Sequence, residues 1–465
     1  MMLRQWAFVV ACASFIVATP ASAQISAITD VTVINPRNAT VSDHQTVIVS
    51  RRRIVKIQSR ADHLPKGSAL IDGSGKYLIP GLWDAHVHLS KAGAISLPLF
   101  VANGITGVRD MGSDLEQVKQ WRLEIDRGAR VGPEIKTSGQ MLESQANIAR
   151  MKREKTIEPV DKLRIGLSNP DDGRAAVDKL ASEGVDHIKM RTTPDLPTFR
   201  AVSDEAKKKG LPFAAHPVAP AEQLMDGRLQ SVEHLLEFPL VDRTPEAQKA
   251  LYTRMAHSGL FMSDTSANLN AFTALSYDEV VRRINDRAGV LDSRNKYVCG
   301  YLLADWQEQT QDLRGPEGRA AYDKLKAQLP TIYRNDREMS QDGVQFLAGT
   351  DTAVMLMYPG FSLHDELWSL VHSIGFTPME VLRIATSNVA SFYKQESRYG
   401  AITRGQEANL VLLDRNPLED IRNTTAIRGV MLKGQWFDRH ALDLLLDQAA
   451  KSARTDCPSL SRSTN

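Results

Sequence analysis

The feature that most constrains the fold is a regular alternation of strand-like and helix-like segments through the middle of the chain. Short apolar segments alternate with longer amphipathic ones, and this alternation is typical of a parallel sheet covered by helices. Eight segments are strand candidates: Tyr77–His88, Gly104–Gly112, Gly132–Gly139, Val185–Met190, Leu211–His216, Ser231–Leu235, Leu260–Ser266 and Val344–Asp351. Eight such units favour closure over an open sheet, so we predict an α/β protein with a (β/α)8 TIM barrel.

Two connections in this alternation are much longer than the others. Residues 141–170 follow the third strand candidate, and residues 268–342 follow the seventh. Both leave the carboxyl ends of strands, where a barrel of this kind carries its active site. We therefore predict that they form walls or lids over a pocket.

Shorter β-rich segments flank the barrel on both sides. Residues 25–80 and 400–438 alternate branched apolar residues with polar ones, between turns rich in glycine, proline and asparagine. Neither segment is long enough for an independent core, so we predict one small β-sandwich domain assembled from both. The barrel then spans residues 81–399.

The last residues, 439–465, are predicted to form a C-terminal helix and a tail. An apolar stripe at Leu442–Ala450 recurs at helical spacing. It packs either on the barrel of its own chain or on a second copy, which leaves a homo-oligomer open.

The amino-terminal residues are typical of an export signal. Arg4 precedes the apolar run Trp6–Thr19, and Ala21–Ala23 supplies the small residues that signal peptidase requires. We predict that residues 1–24 are a signal peptide and that the mature protein is periplasmic or secreted. A lipoprotein box at Val9–Cys12 is the alternative, although the apolar run before it is very short.

Composition excludes several other classes of protein. No later segment approaches the roughly 20 apolar residues of a membrane-spanning helix, so no membrane span is predicted. The 57 basic and 55 acidic side chains nearly balance, without a basic block, so nucleic acid is not an expected partner. Cys299 and Cys457 remain after cleavage, and whether they pair is open; a disulfide framework does not hold this fold together.

Histidines, a lysine and an aspartate stand near the ends of the strand candidates. His86 and His88 are two residues apart at the end of the first one, so both side chains point to the same side of the strand. Four more residues lie near the ends of other candidates: Lys189, His216, His234 and Asp351. Taken singly, each histidine is as well explained by a structural hydrogen bond. Together, at the shared mouth of a barrel, the six side chains predict a metal site.

These segments resemble the amidohydrolase superfamily, in particular its imidazolonepropionase-like and prolidase-like branch of Xaa-Pro and Xaa-Arg dipeptidases. The resemblance is carried by Pro80–His88, Gly104–Asp110, Ile188–Lys189, Glu233–His234, Gly349–Asp351, His364–Leu367, Thr377–Pro378, Ala385–Thr386 and Leu412–Leu418. It covers nearly all of residues 25–438. One departure is Glu407–Leu410, where the family usually has Ala-Asp-Leu. This departure affects the small β domain and leaves the site unchanged.

The resemblance implies a centre of two divalent metal ions, with zinc expected and manganese or iron open. His86, His88 and Asp351 would bind the more buried ion, and His216 and His234 the outer one. Lys189, carboxylated by carbon dioxide, would bridge the two ions; without that modification the site holds a single metal. Asp351 would take the proton of a metal-bound hydroxide and pass it to the leaving group.

Four further residues are candidates for substrate contacts: Arg109, Ser113, His364 and Tyr358. Arg109 binds either a substrate carboxylate or a neighbouring acid, Asp110 or Asp114. His364 either contacts substrate or caps a helix. His187 alternates with Lys189 along a strand, and a structural hydrogen bond is expected for it.

The expected activity is the hydrolysis of an amide or peptide-like C–N bond in a small molecule or short peptide. The same centre attacks lactones and carboxyl esters, so a lactonase or carboxylesterase is the alternative. A deaminase is less expected, because Pro217–Ala219 follow His216 where deaminases usually carry a glutamate. A non-catalytic exported binding protein is disfavoured because all six ligand positions are filled.

Overall fold

A computed structural model of the chain describes residues 25–59, 63–217, 229–234, 244–313 and 315–455. The strands are β1 Ile25–Asn35, β2 Thr40–Ser50, β3 Arg53–Ser59, β4 Ala69–Asp72, β5 Tyr77–Pro80, β6 Leu82–Val87, β7 Ile105–Asp110, β8 Glu134–Thr137, β9 Met141–Ser144, β10 Arg164–Leu167, β11 Ile188–Met190, β12 Phe213–Ala215, β13 Ser231–Glu233, β14 Phe261–Ser263, β15 Gln345–Phe346, β16 Leu410–Leu413, β17 Ile427–Leu432 and β18 Gln435–Asp438. The predicted signal peptide lies outside the described residues.

The described α-helices mostly follow the parallel strands. They are α1 Leu89–Ala92, α2 Ser96–Ala102, α3 Leu115–Asp126, α4 Gln145–Glu154, α5 Val160–Leu163, α6 Pro170–Ser182, α7 Leu196–Lys208, α8 Pro245–Ser258, α9 Ser266–Thr273, α10 Tyr277–Asn285, α11 Gly300–Gln309, α12 Gly315–Gln341, α13 Ser362–Ser369, α14 Pro378–Ile384, α15 Ser387–Phe392 and α16 Arg439–Thr455. None of these helices combines the length and the apolar character that crossing a membrane requires.

Helix α6 illustrates why the amphipathic segments fold as predicted. The Asn169 side chain accepts hydrogen bonds from the first backbone N–H groups, and Pro170 occupies the first turn, where its missing N–H costs nothing. The helix then buries Ala176, Val177 and Leu180, which recur at helical spacing. The capping residues and the apolar stripe therefore both predict this helix.

Strands from both ends of the chain share one sheet. Its order is β18-β17-β16-β5-β1-β2-β3, with β4 beside β1. The buried faces include Val31, Val47, Leu78 and Leu412 in one apolar cluster. The two β-rich segments thus come together as expected, while folding of this sheet into a sandwich and the domain boundaries stay predictions.

The middle of the chain forms parallel sheets wrapped by helices, which confirms the α/β class. One sheet has the order β6-β7-β8, and the other β10-β9-β11-β12-β13-β14-β15. Backbone hydrogen bonds join the two sheets near β15 and near β11: Ala85 N donates to Ala348 O at 2.7 Å, and Asp186 N donates to Thr137 O at 2.8 Å. Because the described strands form two sheets, closure into one eight-stranded barrel stays a prediction.

The first strand candidate, Tyr77–His88, is in fact two strands in different sheets. Gly81 lies between β5 and β6, and its N–H donates to Asn409 O at 2.8 Å. A Cβ at this position would lie 2.1 Å from Thr106 Oγ1, so the close approach requires glycine. The chain therefore passes from the terminal sheet to the parallel sheet at this residue.

The C-terminal helix packs on its own chain. Leu442 belongs to the main apolar core, and Ala449 lies in a small cluster with Leu99 of α2. Part of this stripe therefore packs on its own chain, and a homo-oligomer stays a prediction. Cys299 is disulfide-bonded, and the chain's other cysteines, Cys12 and Cys457, lie outside the described residues.

Candidate metal centre

The six predicted ligands all lie at or just beyond the carboxyl ends of parallel strands. His86 is the last residue but one of β6 and His88 follows that strand, while Lys189 lies in β11. His216 and His234 come directly after β12 and β13, and Asp351 lies in the loop after β15. All the ring and carboxylate groups face one another because parallel strands end on the same edge of a sheet.

Distances between these side chains define a compact cluster around the Asp351 carboxylate. Its Oδ1 lies 3.1 Å from His88 Nε2 and 3.5 Å from His86 Nε2, and its Oδ2 lies 4.0 Å from His234 Nε2. The His234 ring centroid is 4.6 Å from that of His86 and 4.5 Å from that of His216. Ligand atoms of His86, His234 and Asp351 all lie within 4.8 Å of one another, so these side chains could take part in a metal site.

A buried ion pair orients His86. Glu233 Oε2 lies 2.8 Å from His86 Nδ1, and the same carboxylate accepts two hydrogen bonds from Arg109 Nη2 at 2.9 and 2.8 Å. The Ser231 hydroxyl donates to Glu233 Oε1 at 2.6 Å. A carboxylate on Nδ1 holds the proton there and directs the lone pair of Nε2 towards Asp351.

Thr265 orients His234 in the same manner. Its hydroxyl donates to the carbonyl oxygen of Asp264 at 2.6 Å, so it accepts from His234 Nδ1 at 3.0 Å. That arrangement puts the His234 proton on Nδ1 and leaves Nε2 as a base facing Asp351. Both His234 and Thr265 have positive φ angles, 64° and 56°, which aim the two side chains at each other.

The electrostatics of the cluster favour neutral imidazoles beside an ionised carboxylate. Burial lowers the pKa of His86, His216 and His234 well below the ordinary value of histidine. Burial alone would raise the pKa of Asp351, but His234, His88 and Lys189 hold it below its ordinary value. Three neutral nitrogen bases and one carboxylate are the donor set that zinc and similar divalent ions prefer.

The residues therefore fit a metal ion on two grounds. His86 Nε2 is fully buried and makes no hydrogen bond to any described part of the chain. A buried base without a hydrogen bond is costly unless a ligand uses its lone pair. Lys189 is also fully buried near His86 and His216, and burial disfavours its charged form, so that carboxylation could make it a ligand.

Asp84 fixes the loop that carries Asp351. Its carboxylate accepts hydrogen bonds from Thr350 Oγ1 at 2.7 Å, from Thr350 N at 3.1 Å and from His86 N at 3.3 Å. Burial raises the pKa of Asp84 to about 7 despite these bonds. Asp84 thus joins the end of β6 to the loop after β15, and the two metal-ligand segments stay together.

The four candidate substrate residues lie elsewhere. Arg109 is fully buried and pairs with Glu233, and not with Asp110 or Asp114. Ser113 is buried and donates to Asp110 Oδ1 at 2.6 Å. Both side chains are thus held by contacts within the protein below the site, Arg109 from within β7 and Ser113 shortly after it, and a contact with substrate stays a prediction for each.

His364 and Tyr358 are likewise buried in structural contacts. The two ring nitrogens of His364 lie 2.9 Å from Thr424 Oγ1 and 3.1 Å from Asn103 O. The Tyr358 hydroxyl donates to Asn295 Oδ1 at 2.9 Å. Neither side chain lines the cavity described below, and their assignment to substrate binding stays a prediction. His187 makes the expected structural bond, with Nδ1 3.0 Å from the Tyr393 hydroxyl.

A cavity of about 580 Å³ opens above the cluster. The metal-ligand candidates at its base are His88, His216, His234 and Asp351. Its walls come from both long connections, including Met141, Arg150, Glu158 and Arg164 from the first and Asn268, Leu269, Asp305 and Glu308 from the second. The long connections thus form walls of the cavity, as their position in the sequence predicted.

Several residues that orient the ligands or line the cavity were not predicted from the sequence. Glu233 and Thr265 orient two histidines, and Lys91 and Arg191 line the cavity. For Arg191 a signal was present, since it stands two residues after Lys189 and side chains two apart share one side of a strand. Thr265 carried no such signal, because its contact depends on an unusual backbone angle.

Comparison with known proteins places these features in a family. The model of the amidohydrolase family matches residues 77–437. The ochratoxinase of Aspergillus niger is 24% identical over 404 residues, covering 81% of this chain and 78% of the ochratoxinase.

Solved structures share the fold over most of the chain. A Xaa-Pro dipeptidase with methionine bound in its active site has a TM-score of 0.68 and 20% identity, covering 89% of this chain and 100% of that chain. A bottromycin amidohydrolase has a TM-score of 0.69 and 21% identity, covering 93% of this chain and 91% of that chain. At these identities the likeness concerns the fold.

Proposed function

This chain belongs to the amidohydrolase family and is a hydrolase of C–N bonds, and from that premise we propose that it cleaves an amide or peptide-like bond in a small molecule or short peptide with the help of divalent metal ions. The observation that carries the proposal is the cluster of four histidines around Asp351 at the base of the cavity. The dipeptidase and the ochratoxinase among the similar proteins support amide hydrolysis over the alternatives.

We assign the metal ligands as follows. His86, His88 and Asp351 would hold the more buried ion, His216 and His234 would hold the outer one, and Lys189, carboxylated by carbon dioxide, would be the ligand that both ions share. When bound, such ions lower the pKa of a water molecule and polarise a carbonyl group. Zinc is the proposed metal, because imidazole and carboxylate donors suit it.

The chain's own groups provide orientation and proton transfer. Glu233 and Thr265 hold the protons of His86 and His234 on Nδ1, so that Nε2 of each ring faces the reacting region. Asp351, ionised at neutral pH, accepts a proton from the attacking water at its carboxylate and returns it to the leaving nitrogen.

The test combines metal analysis with a substrate panel. Protein purified without chelator is compared with Lys189→Ala for metal content per chain and for hydrolysis of dipeptides, N-acyl amino acids, lactones and carboxyl esters. We expect two metals per chain in the native protein, with metal content and amide hydrolysis falling together in the variant. One metal per chain, with activity insensitive to the Lys189 change, would contradict the bridged centre.

Lactonase or carboxylesterase activity is the second candidate, because the same metal centre serves any of these carbonyl compounds. Turnover of the esters or lactones at rates far above those of the amides would select it. Export to the periplasm or medium is also part of the proposal, and the amino-terminal sequence of the mature protein tests it. Cleavage at residue 24 is the expected result.

A further inference from the structure

Four basic side chains line the cavity, and three of them are engaged by neighbouring groups. These four are Lys91, Arg150, Arg164 and Arg191. Lys91 Nζ lies 3.7 Å from Glu158 and 3.6 Å from Asp305. Arg164 pairs with Glu158 at 2.9 Å and with Glu143. The positive charges of Lys91 and Arg164 are thus compensated inside the wall.

Arg150 has partners of its own on α4. Its Nη1 donates to Glu154 Oε2 at 2.7 Å, and its Nε donates to Asn147 Oδ1 at 3.0 Å. The side chain is 49% exposed, so this pair lies at the rim in contact with solvent. The hydrogen-bond donors of Arg150 are therefore largely used by Glu154 and Asn147, and few remain for a ligand.

Arg191 differs from the other three. Its side chain donates no hydrogen bond to any group in the described part of the chain, and its nearest acid is Glu143 Oε2, 3.8 Å from Nη1. Glu143 is already occupied by Arg164 and by the Thr192 hydroxyl. The guanidinium is 38% exposed and keeps its donors for a ligand.

The position of Arg191 relates it to the metal centre. It follows β11 two residues after Lys189, so the two side chains leave the strand on the same side. A second cavity of about 380 Å³ adjoins the first, and Arg191, Arg150 and His216 line both. The positive charge of Arg191 also contributes to the lowered pKa of His216. The guanidinium therefore lies on the His216 side of the centre.

We propose that Arg191 binds a carboxylate of the substrate on the His216 side of the metal centre. A guanidinium matches a carboxylate with two parallel hydrogen bonds, which fixes the orientation of the bound molecule. The substrates are then amides of amino acids with a free carboxylate, namely N-acyl amino acids or dipeptides. Lactones and cyclic amides without an acid group are disfavoured. This inference rests on the proposed amide hydrolysis for its reaction, but the binding subsite stands on its own geometry.

The first experiment compares matched substrates. N-acetyl-L-phenylalanine, N-acetyl-L-leucine and glycyl-L-proline are each assayed beside the corresponding C-terminal carboxamide, which has the same shape without the charge. In the native protein we expect kcat/KM for the acids to exceed that for the amides. Arg191→Gln should lower kcat/KM for the acids about 10- to 100-fold, chiefly through KM, and leave the amides nearly unchanged.

Control variants separate the subsite from a merely structural role. Arg150→Gln removes a second cavity arginine and should preserve the preference for acids, while Arg191→Lys should restore part of it. If Arg191→Gln lowers activity on acids and amides equally, together with the temperature of unfolding, the residue only supports Glu143 and the proposal is overturned. Loss of the preference in Arg150→Gln alone would also overturn it.

A binding measurement keeps the test independent of turnover. Calorimetric titration of the metal-loaded protein with L-phenylalanine and L-phenylalaninamide reports the carboxylate contact directly. Binding of the acid that weakens about 10- to 100-fold in Arg191→Gln supports the subsite even if no amide is hydrolysed, in which case the proposed function fails alone. If the affinities for the acid and for the amide are both unchanged in Arg191→Gln, the subsite is overturned, whether or not hydrolysis is seen.

Discussion

Asp264 and Thr265 are neighbours in sequence but belong to two different buried clusters. The carboxyl groups of the two clusters have pKa values shifted in opposite directions. Thr265 contacts His234 in the metal centre, where Asp351 and Glu233 are carboxylates with lowered pKa values. Asp264 belongs to a second cluster, the acidic cluster, formed with Asp336 of α12 and Glu366 of α13. All three of its carboxyl groups are fully buried.

Among the residues that the structure describes, the acidic cluster has no basic partner to offset burial. Burial raises the pKa of Asp264 to about 7, and burial with the neighbouring carboxylates raises those of Asp336 and Glu366 well above their ordinary values. Both oxygens of Asp264 and of Asp336 accept no hydrogen bond within the residues that the structure describes. In the metal centre, Arg109, Lys189 and the histidines reverse the effect. Neighbouring charge, and not burial, therefore decides whether a buried carboxyl group is ionised.

The largest expected effect comes from removing the charge at the centre. Asp351→Asn keeps the shape of the side chain but cannot accept a proton, so kcat on the amide substrates should fall about 10²- to 10⁴-fold. Metal content per chain is measured on the same preparation. If kcat falls less than tenfold, Asp351 does not carry the proton in the rate-limiting step.

The second effect tests whether the metal centre can be made to resemble the acidic cluster. Arg109→Met leaves Glu233 buried without its guanidinium, and the cost to the free energy of unfolding should be about 3–5 kcal/mol. Since Glu233 orients His86, metal affinity should also fall about 10- to 100-fold. Urea unfolding and metal titration measure the two quantities.

A matched double variant checks the cause. Arg109→Met combined with Glu233→Gln removes the buried charge that the single variant leaves behind, so part of the lost stability should return. A double variant that is less stable by the sum of the two single effects would show that the pair does not interact as described.

The two clusters also differ in what the sequence could predict. The ligands were predicted because His86 and His88 alternate on one strand and the others end similar strands. Glu366 and Asp336 gave no signal, since their proximity to Asp264 depends on how two helices pack against β14. The position of Gly81 between two sheets, and the pairing of β9 and β10 beside β11, likewise follow from tertiary contacts and not from local pattern.

The same limit applies to the contacts of the four substrate candidates. Arg109 reaches Glu233 across 124 residues of sequence, and His364 reaches Asn103 O across 261. Local sequence shows that such a side chain stands near a strand end, but not which partner it meets there. Strand ends therefore predicted which side chains meet at one edge of the parallel sheets, whereas the contacts of the side chains around them depended on long-range packing.

The smallest effect is a change in pH dependence, and it tests the acidic cluster directly. The pKa values of this cluster are raised in the folded protein. The folded protein therefore keeps protons that the unfolded chain releases above about pH 4. Its contribution to stability is therefore complete below that pH and is lost as the pH rises towards and beyond about 7, the pKa of Asp264. Asp336→Asn removes one of these protons from the balance.

Relative to the native protein, Asp336→Asn should gain stability as the pH rises from 5 to 8, by up to about 1.4 kcal/mol per pH unit. Urea unfolding at each pH gives this difference, and protonation of the metal centre cancels because both proteins share it. Asp323→Asn, an exposed position on the same helix, should show a constant difference from the native protein. If the free energy of unfolding of Asp336→Asn also runs parallel to that of the native protein across this pH range, the acidic cluster is ionised in the folded protein. A cation within the cluster must then offset the charge, since three buried carboxylates cannot remain unpaired.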